Sequence, residues 1–531
     1  MSSLLNMPTF HALFLFTIAL TFYKLHASQS STYNSLTFSL THSKLAKDGS
    51  SSSFSDRVSQ NQSLPIKEIP DGFVMSISLG TPPQLIQKLF FDTGSDLIWV
   101  PSGNQSNPFQ CQGCDNNYYK NLNLTIYNPL SSTSRSRESC LSLICADIHG
   151  NGDYHDTCTA VGCSLFSLLN NTCDRPCPSF NYEYGDGIVA GSMTRDTLVV
   201  LPDNNNDGSN NPNISFGCVR TTYREPIGIV GFGKGRLSFP SQLGFLGKGF
   251  AHCFLPFDYS SNPNYSTPLI LGDQAISSKE YMQFTPMQYN PLYPNFYYIG
   301  LEGITVGNTT TIPAPEILRH FDSSLNGGMI IDSGTRSTHL PDPFYSDLRK
   351  AIGSVVKYPR APAAEAGTGF DLCYRIPVSA TQPYDLPSIT FHFLNNVSLA
   401  LPQGSLFYKV APPINGTRPV CLLFERMDDD PEASGVFGSS QQESVEVVYD
   451  LENKRIGFHE IVPDPTPITP VRTHTARFAS FRLPDPKILP LVVAFLPIGT
   501  STTFGVESAR STAANLHHLF PLPPPSIPHH P

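Results

Sequence analysis

Leu89-Phe90-Phe91-Asp92-Thr93-Gly94-Ser95 returns, nearly copied, as Met329-Ile330-Ile331-Asp332-Ser333-Gly334-Thr335. The two stretches lie 240 residues apart, too far for a local motif. In each, three apolar residues run into an aspartate and a glycine turn, the pattern of a buried strand that ends at a carboxylate. Two such ends in one chain imply a dyad assembled from two halves. Like charges held close cannot both ionise, so such a pair keeps one proton and can activate a water. Hydrolysis of a peptide bond at low pH is the chemistry this points to.

Strand and turn signals surround both copies. Phe73 to Leu79 partly alternates, Gly80-Thr81-Pro82-Pro83 turns the chain, and Leu85 to Phe91 leads into Asp92. Asp96 to Val100 reads as the next strand and carries Trp99, the one tryptophan. Tyr182 to Gly187 reads as a hairpin tip, with Asp186-Gly187 as the turn signal. An apolar-apolar-glycine triplet follows each aspartate motif, Ile229-Val230-Gly231 in the first half and Val436-Phe437-Gly438 in the second. The order of signals repeats although the residues mostly do not, so a two-fold repeat of topology is expected.

The 531 residues suffice for two lobes with full cores. Only 15% are charged, and 38 Gly and 48 Pro favour strands and turns over helical bundles. No long amphipathic run stands out. The formal net charge of −9 offers no basic face, which argues against nucleic acid as a partner.

The N-terminus reads as a secretory signal peptide over residues 1–27, with the apolar stretch Phe10 to Phe22 and a cleavage position at Ala27. A membrane anchor is the rival reading, but the stretch is short for a span, and no stable membrane span is expected. Residues 28–64 are serine-rich and read as a propeptide or flexible leader. Sequons at Asn61, Asn104, Asn123, Asn170, Asn213, Asn264, Asn308, Asn396 and Asn415 are candidate glycosylation sites. Twelve cysteines, an even count, suit an oxidising compartment. Eight of them, Cys111, Cys114, Cys140, Cys145, Cys158, Cys163, Cys173 and Cys177, crowd a loop-rich insertion over 101–178 and are expected to pair within it, with connectivity open. Cys218 is expected to pair with Cys253, and Cys373 with Cys421. Cys111-x-x-Cys114 is compatible with zinc or a redox pair, yet secretion favours a disulfide, and no metal is expected. The tail, 464–531, is proline-rich and reads as disordered.

These residues resemble the pepsin-like aspartic proteases, and among them the plant nepenthesin-like branch. The resemblance runs from about Ile69 to Glu460. It rests on several unconnected motifs: Phe91 to Asp96, Tyr184-Gly185-Asp186-Gly187, Phe216-Gly217-Cys218, Gly228 to Gly233, Phe296-Tyr297-Tyr298, Ile331 to Thr335, Val447 to Leu451 and Arg455-Ile456-Gly457-Phe458. It implies a mainly β, bilobal fold: an N-terminal lobe over 65–283, a C-terminal lobe over 284–463, and a substrate cleft between two pseudo-symmetric halves. Asp92 and Asp332 match the catalytic aspartates. Gly94, Ser95, Gly334 and Thr335 match the residues that set their geometry. Tyr184, Gly185 and Asp186 match the flap that closes over substrate, and Trp99 the indole that supports the flap tyrosine.

The expectation is therefore a secreted, glycosylated aspartic-type endopeptidase, monomeric and without cofactor, acting on polypeptides in the apoplast, cell wall or vacuole. The rival is a catalytically silent protein of the same fold that binds or inhibits other extracellular proteins. Both aspartates and both neighbouring hydroxyls are present, which favours the enzyme.

Overall fold

Each motif strand pairs in parallel with the later apolar triplet of its own half. Phe90 to Asp92, the end of strand Gln84–Asp92, lies beside Ile229–Gly231, and Met329–Ile331 lies beside Gly435–Phe437. These short apolar strands are buried from end to end, which explains their unbroken hydrophobic runs. The repeat of signals in the sequence is thus a repeat of strand pairing. The computed structural model describes residues 33–43, 72–461 and 466–467, apart from 115–121, 151–153, 186, 201–210, 257–264, 278, 309, 411–412, 414 and 428–433. The expected signal peptide, most of the expected leader and nearly all of the tail lie outside them.

The architecture is mainly β, as expected. One large sheet joins the two halves, because Val445–Asp450 of the second half pairs with Gly249–Cys253 of the first. From there the sheet continues through Tyr265–Gly272, Ser35–His42 and Phe73–Leu79 to the motif strand Gln84–Asp92. The second motif strand sits in a five-stranded sheet, flanked by Tyr298–Ile299 and Gly435–Phe437. One apolar cluster spans both halves and includes Phe91, Val230 and Phe232 from the first and Ile331, Phe437 and Phe458 from the second. His252, within Gly249–Cys253, stacks on Phe254 at 4.1 Å and serves as a packed aromatic.

Three features differ from the sequence reading. Part of the expected leader is a strand: Ser35 to Leu40 pair with Gly272 to Thr267, and Thr41 and His42 pair with Val74 and Phe73. Its alternation puts Leu36 and Leu40 in the core, a period-two pattern hidden inside a serine-rich composition. Next, Cys218 and Cys253 are not bridged; both are buried free thiols. They lie on Asn213–Tyr223 and Gly249–Cys253, strands of the same sheet that do not pair with each other. Finally, Phe344–Val355 is an amphipathic helix that buries Phe344, Tyr345, Leu348 and Ile352.

The described residues of the insertion include short α-helices at Leu143–Ile148, Tyr154–Ala160 and Leu165–Leu169. Disulfides join Cys111 to Cys114, Cys140 to Cys158, Cys145 to Cys177 and Cys163 to Cys173. A fifth joins Cys373 to Cys421 across paired strands. Among the described residues, no helix is long and apolar enough to cross a membrane.

Candidate active site

Asp92 and Asp332 meet where the two halves join. A Cβ placed on Gly94 would fall 2.5 Å from Asp332 Oδ1, and one on Gly334 would fall 2.3 Å from Asp92 Oδ1. Each glycine is thus required by the carboxylate of the opposite half, since any side chain there would displace it.

The local bonds of the two turns match. Gly94 N–H donates to Asp92 Oδ1 at 2.8 Å, and Gly334 N–H donates to Asp332 Oδ1 at 2.7 Å. The Ser95 hydroxyl donates to Asp92 Oδ2, and the Thr335 hydroxyl to Asp332 Oδ2. Every carboxylate oxygen therefore has a fixed donor from its own turn. Sequence reading named these four residues.

It passed over the two between them. Thr93 N–H donates to Ser333 Oγ at 2.9 Å, and Ser333 N–H donates to Thr93 Oγ1 at 2.9 Å. The hydroxyls go on to donate across the joint, Ser333 to the Phe91 carbonyl at 2.9 Å and Thr93 to the Ile331 carbonyl at 3.2 Å. Both residues are fully buried. Their signal was visible: a hydroxyl residue stands between aspartate and glycine in both copies.

Electrostatics distinguish the two acids. Asp92 is 6% exposed, whereas Asp332 is half-buried. Burial first, and the charge of Asp332 second, push the Asp92 carboxyl well above the usual range, against the lowering effect of its bonds from Ser95 and Gly94. The raised Asp92 carboxyl thus faces a second carboxyl across the joint.

The expected flap is a hairpin. Phe180–Glu183 pairs with Ile188 to Gly191, and Tyr184 N–H donates to the Gly187 carbonyl at 2.8 Å. The pairing therefore closes between Tyr184 and Gly187, so Gly187 ends the turn, whereas the Asp-Gly signal centres it on that residue. Gly185 is exposed there, and Asp186 lies outside the described residues. Tyr184 packs against a buried cluster that holds Trp99, Leu97, Tyr182, Cys145 and Cys177. Burial, then Tyr182, Asp92 and Glu225, hold its hydroxyl far above the usual tyrosine range, and the Trp99 indole acts the other way. The two groups are neighbours, yet neither the hydroxyl nor the indole N–H has a hydrogen-bond partner among the described residues.

Metal-ligand sets close enough to share an ion, among the described residues, are Cys140, Cys158, Cys163 and Cys173, and Cys145, His149 and Cys177. Their cysteines are all disulfide-bonded, so they present no thiolate. The sequons at Asn104, Asn123, Asn170, Asn213, Asn308, Asn396 and Asn415 are exposed, while Asn61 and Asn264 lie outside the described residues.

The chain is similar to known proteins over most of its length. The family described as Xylanase inhibitor N-terminal matches residues 73–273, and Xylanase inhibitor C-terminal matches 296–460. A probable aspartyl protease of Arabidopsis thaliana is 34% identical over 435 residues, covering 75% of this chain and 83% of that protein. Aspartic proteinase nepenthesin-1 of Nepenthes gracilis is 32% identical over 392 residues, covering 73% and 77%. Among solved structures, conglutin gamma, a basic 7S globulin from lupine seeds, superposes with a TM-score of 0.52 at 16% identity, over 80% of this chain and 95% of that one. Basic 7S globulin from soybean gives 0.51 at 17% identity, over 80% and 96%. At such identities the likeness concerns the fold.

Proposed function

Because this chain belongs to the family of plant pepsin-like aspartic proteases, we propose that it is a secreted endopeptidase that cleaves proteins at acid pH through Asp92 and Asp332. The observation that carries this reading is the convergence of the two carboxylates, each in contact with the glycine of the opposite turn. The singly protonated pair takes a proton from water as the water attacks the peptide carbonyl, and gives its own proton to the carbonyl oxygen. The product of that step is a tetrahedral diol, which collapses with transfer of a proton to the leaving amine. No acyl-enzyme forms, and no Ser or Cys nucleophile is needed.

Ser95, Thr335, Gly94 and Gly334 hold the carboxylates by fixed donors, so little reorganisation accompanies the reaction. Tyr184, Gly185 and Asp186 close over an extended peptide, whose main chain pairs with the hairpin edge. Trp99 supports Tyr184 from behind. Removal of the N-terminal signal, glycosylation at the exposed sequons and residence in the apoplast, cell wall or vacuole complete the reading; the disulfides and the exposed asparagines support it.

A second reading is a protein that binds other extracellular proteins without cleaving them. The family descriptions, which name an inhibitor, favour it. Purified protein incubated with denatured globin across acid and neutral pH separates the two. Acid-dependent cleavage that disappears in Asp92→Asn supports the enzyme; intact globin at every pH supports the binder.

A further inference from the structure

Asp96 lies one residue beyond the first aspartate turn, and the reaction above gives it no part. It is 7% exposed, and aspartates are seldom so buried without a purpose-built environment. A glycine-rich loop, residues 231 to 235, surrounds it. Gly235 N–H donates to Asp96 Oδ1 at 2.8 Å. A Cβ on Gly233 would fall 2.3 Å from Oδ1, and one on Gly235 would fall 2.1 Å from Oδ2. The loop is thus shaped around the carboxyl group.

The same loop backs the aspartate turn. Phe232 N–H donates to the Asp92 carbonyl at 2.6 Å, Gly233 N–H to the Ser95 carbonyl at 2.9 Å, and Gly231 N–H to the Leu97 carbonyl at 3.3 Å. The Cys-rich insertion reaches this place too. Arg236, next to the loop, bridges Asp147 at 3.0 Å, and Asp147 belongs to helix Leu143–Ile148. Cys145 of that helix is bound to Cys177, just ahead of the flap strand Phe180–Glu183.

We propose that Asp96 is a positioning residue for Asp92, its carboxyl clamping loop 231 to 235 against the aspartate turn while the Asp147–Arg236 bridge seats the insertion on the same clamp. The inference rests on the reading of Asp92 as catalytic. The repeat sharpens it, because the matching position after Asp332 is Arg336, whose guanidinium lies 4.8 Å from the Tyr408 ring centre.

The clamp is ionisable. Burial pushes the Asp96 carboxyl up to about 7, with the Gly235 bond and Lys234 opposing and Asp147 adding to the rise. Lys234 is itself pushed down to about 8 by burial, against the pull of Asp96, and stands 5.8 and 5.7 Å from the Tyr289 and Tyr297 ring centres. The Tyr182 and Tyr297 hydroxyls also feel the Asp96 charge. A raised carboxyl binds its proton more tightly in the folded state. Its contribution is full below the ordinary aspartate value and is lost as pH rises through about 7.

The test uses the full chain with Asp96→Asn, Asp96→Ala and Asp147→Asn. Asparagine still accepts from Gly235 but cannot ionise. Asp96→Asn is expected to keep kcat within about 3-fold at acid pH, and to flatten the fall of melting temperature between mildly acid and neutral pH. Asp96→Ala is expected to lower kcat per folded molecule at least about 10-fold with KM within about 2-fold. It should also lower hydrogen-exchange protection at the Phe232 and Gly233 amides by a similar factor. Asp147→Asn is expected to give a smaller change in the same direction. Wild-type kcat and wild-type amide protection in Asp96→Ala would overturn the inference. So would identical pH dependence of melting in wild type and Asp96→Asn, which remains decisive if the alanine variant does not fold. An inactive wild type defeats the reading of Asp92 as catalytic, and the exchange and melting arms then judge the clamp alone.

Discussion

The two aspartate turns share their inner hydrogen bonds and differ in what stands behind them. In both, a glycine N–H and a hydroxyl hold the two carboxylate oxygens. Behind Asp92 lie a buried carboxyl, Asp96, and the glycine loop it shapes. Behind Asp332 no buried carboxyl takes that place, the matching position being Arg336, and the backing bonds come from neutral groups. Ser439 N–H donates to the Thr335 carbonyl at 2.7 Å, Gly438 N–H to Thr338 Oγ1 at 3.1 Å, and Thr338 N–H to Gln441 Oε1 at 2.9 Å. The hairpin of Tyr184 and the Cys-rich cluster also belong to the Asp92 side. The difference teaches that the turn supplies the geometry of the acids, whereas the surroundings supply their asymmetry. A nearly repeated motif can thus place two equivalent carboxylates in inequivalent fields.

The largest expected effect treats the two turns as equals. Asp92→Asn and Asp332→Asn should each lower kcat on denatured globin by about 10²- to 10⁴-fold, with the fold retained because neither change removes core volume. Near-normal turnover by either purified variant would show that the halves do not act as one pair. The cross-bonds come next. Ser333→Ala leaves the Thr93 N–H and the Phe91 carbonyl buried without their partner, and Thr93→Ala does the same to Ser333 and Ile331. Each should cost about 1–3 kcal/mol in denaturant unfolding, because a buried polar group left without a partner loses its water and gains nothing in return. Markedly unequal losses would break the symmetry at the joint itself.

A pH series sharpens the asymmetry. The Asp92 carboxyl is raised, by burial and then by Asp332, so the folded state binds its proton more tightly than the unfolded chain does. Its stabilising contribution is complete below the ordinary aspartate value and fades as pH rises through the raised one. Melting temperature and kcat/KM should both decline from acid toward alkaline conditions, and Asp92→Asn should reduce the decline in melting temperature. An activity profile still climbing at pH 8 would require a different catalyst.

Much of this was legible because it was local. Three apolar residues, an aspartate and a glycine turn are adjacent in the chain, and so are the hydroxyls of Ser95 and Thr335. The parallel partners, Ile229–Gly231 and Gly435–Phe437, were legible within one residue because buried parallel strands are apolar throughout. What escaped depended on partners distant in sequence. Thr93 and Ser333 look like ordinary turn residues until the halves meet. Asp96 looks like a solvated acid until Gly233 and Gly235 close on it. Strand Ser35–His42 was masked by serines whose exposed face is polar for the same reason that Leu36 and Leu40 are buried. Cys218 and Cys253 were paired as the two left in the first half outside the insertion, which says nothing about separation across a sheet.

The smallest effect concerns the hairpin that carries Tyr184 on the Asp92 side. Tyr184 contributes a ring that packs on the cluster around Trp99 and a hydroxyl that has no hydrogen-bond partner there. Losing the ring removes part of the cover over Asp92, so Tyr184→Ala should lower kcat/KM at least about 10-fold, a barrier change of about 1.4 kcal/mol. Its melting temperature should change little, since Tyr184 is only partly buried and sits near a hairpin tip. Losing only the hydroxyl removes a buried group that makes no bond in this state, so Tyr184→Phe should stay within about 3-fold of wild type and should not be less stable. Should Tyr184→Phe instead fall as far as Tyr184→Ala, the hydroxyl must gain a partner once substrate is bound. The Trp99 indole N–H, itself unpartnered, is the nearest candidate. Wild-type kinetics in Tyr184→Ala with a large loss of stability would make the ring a core residue and remove the hairpin from the reaction.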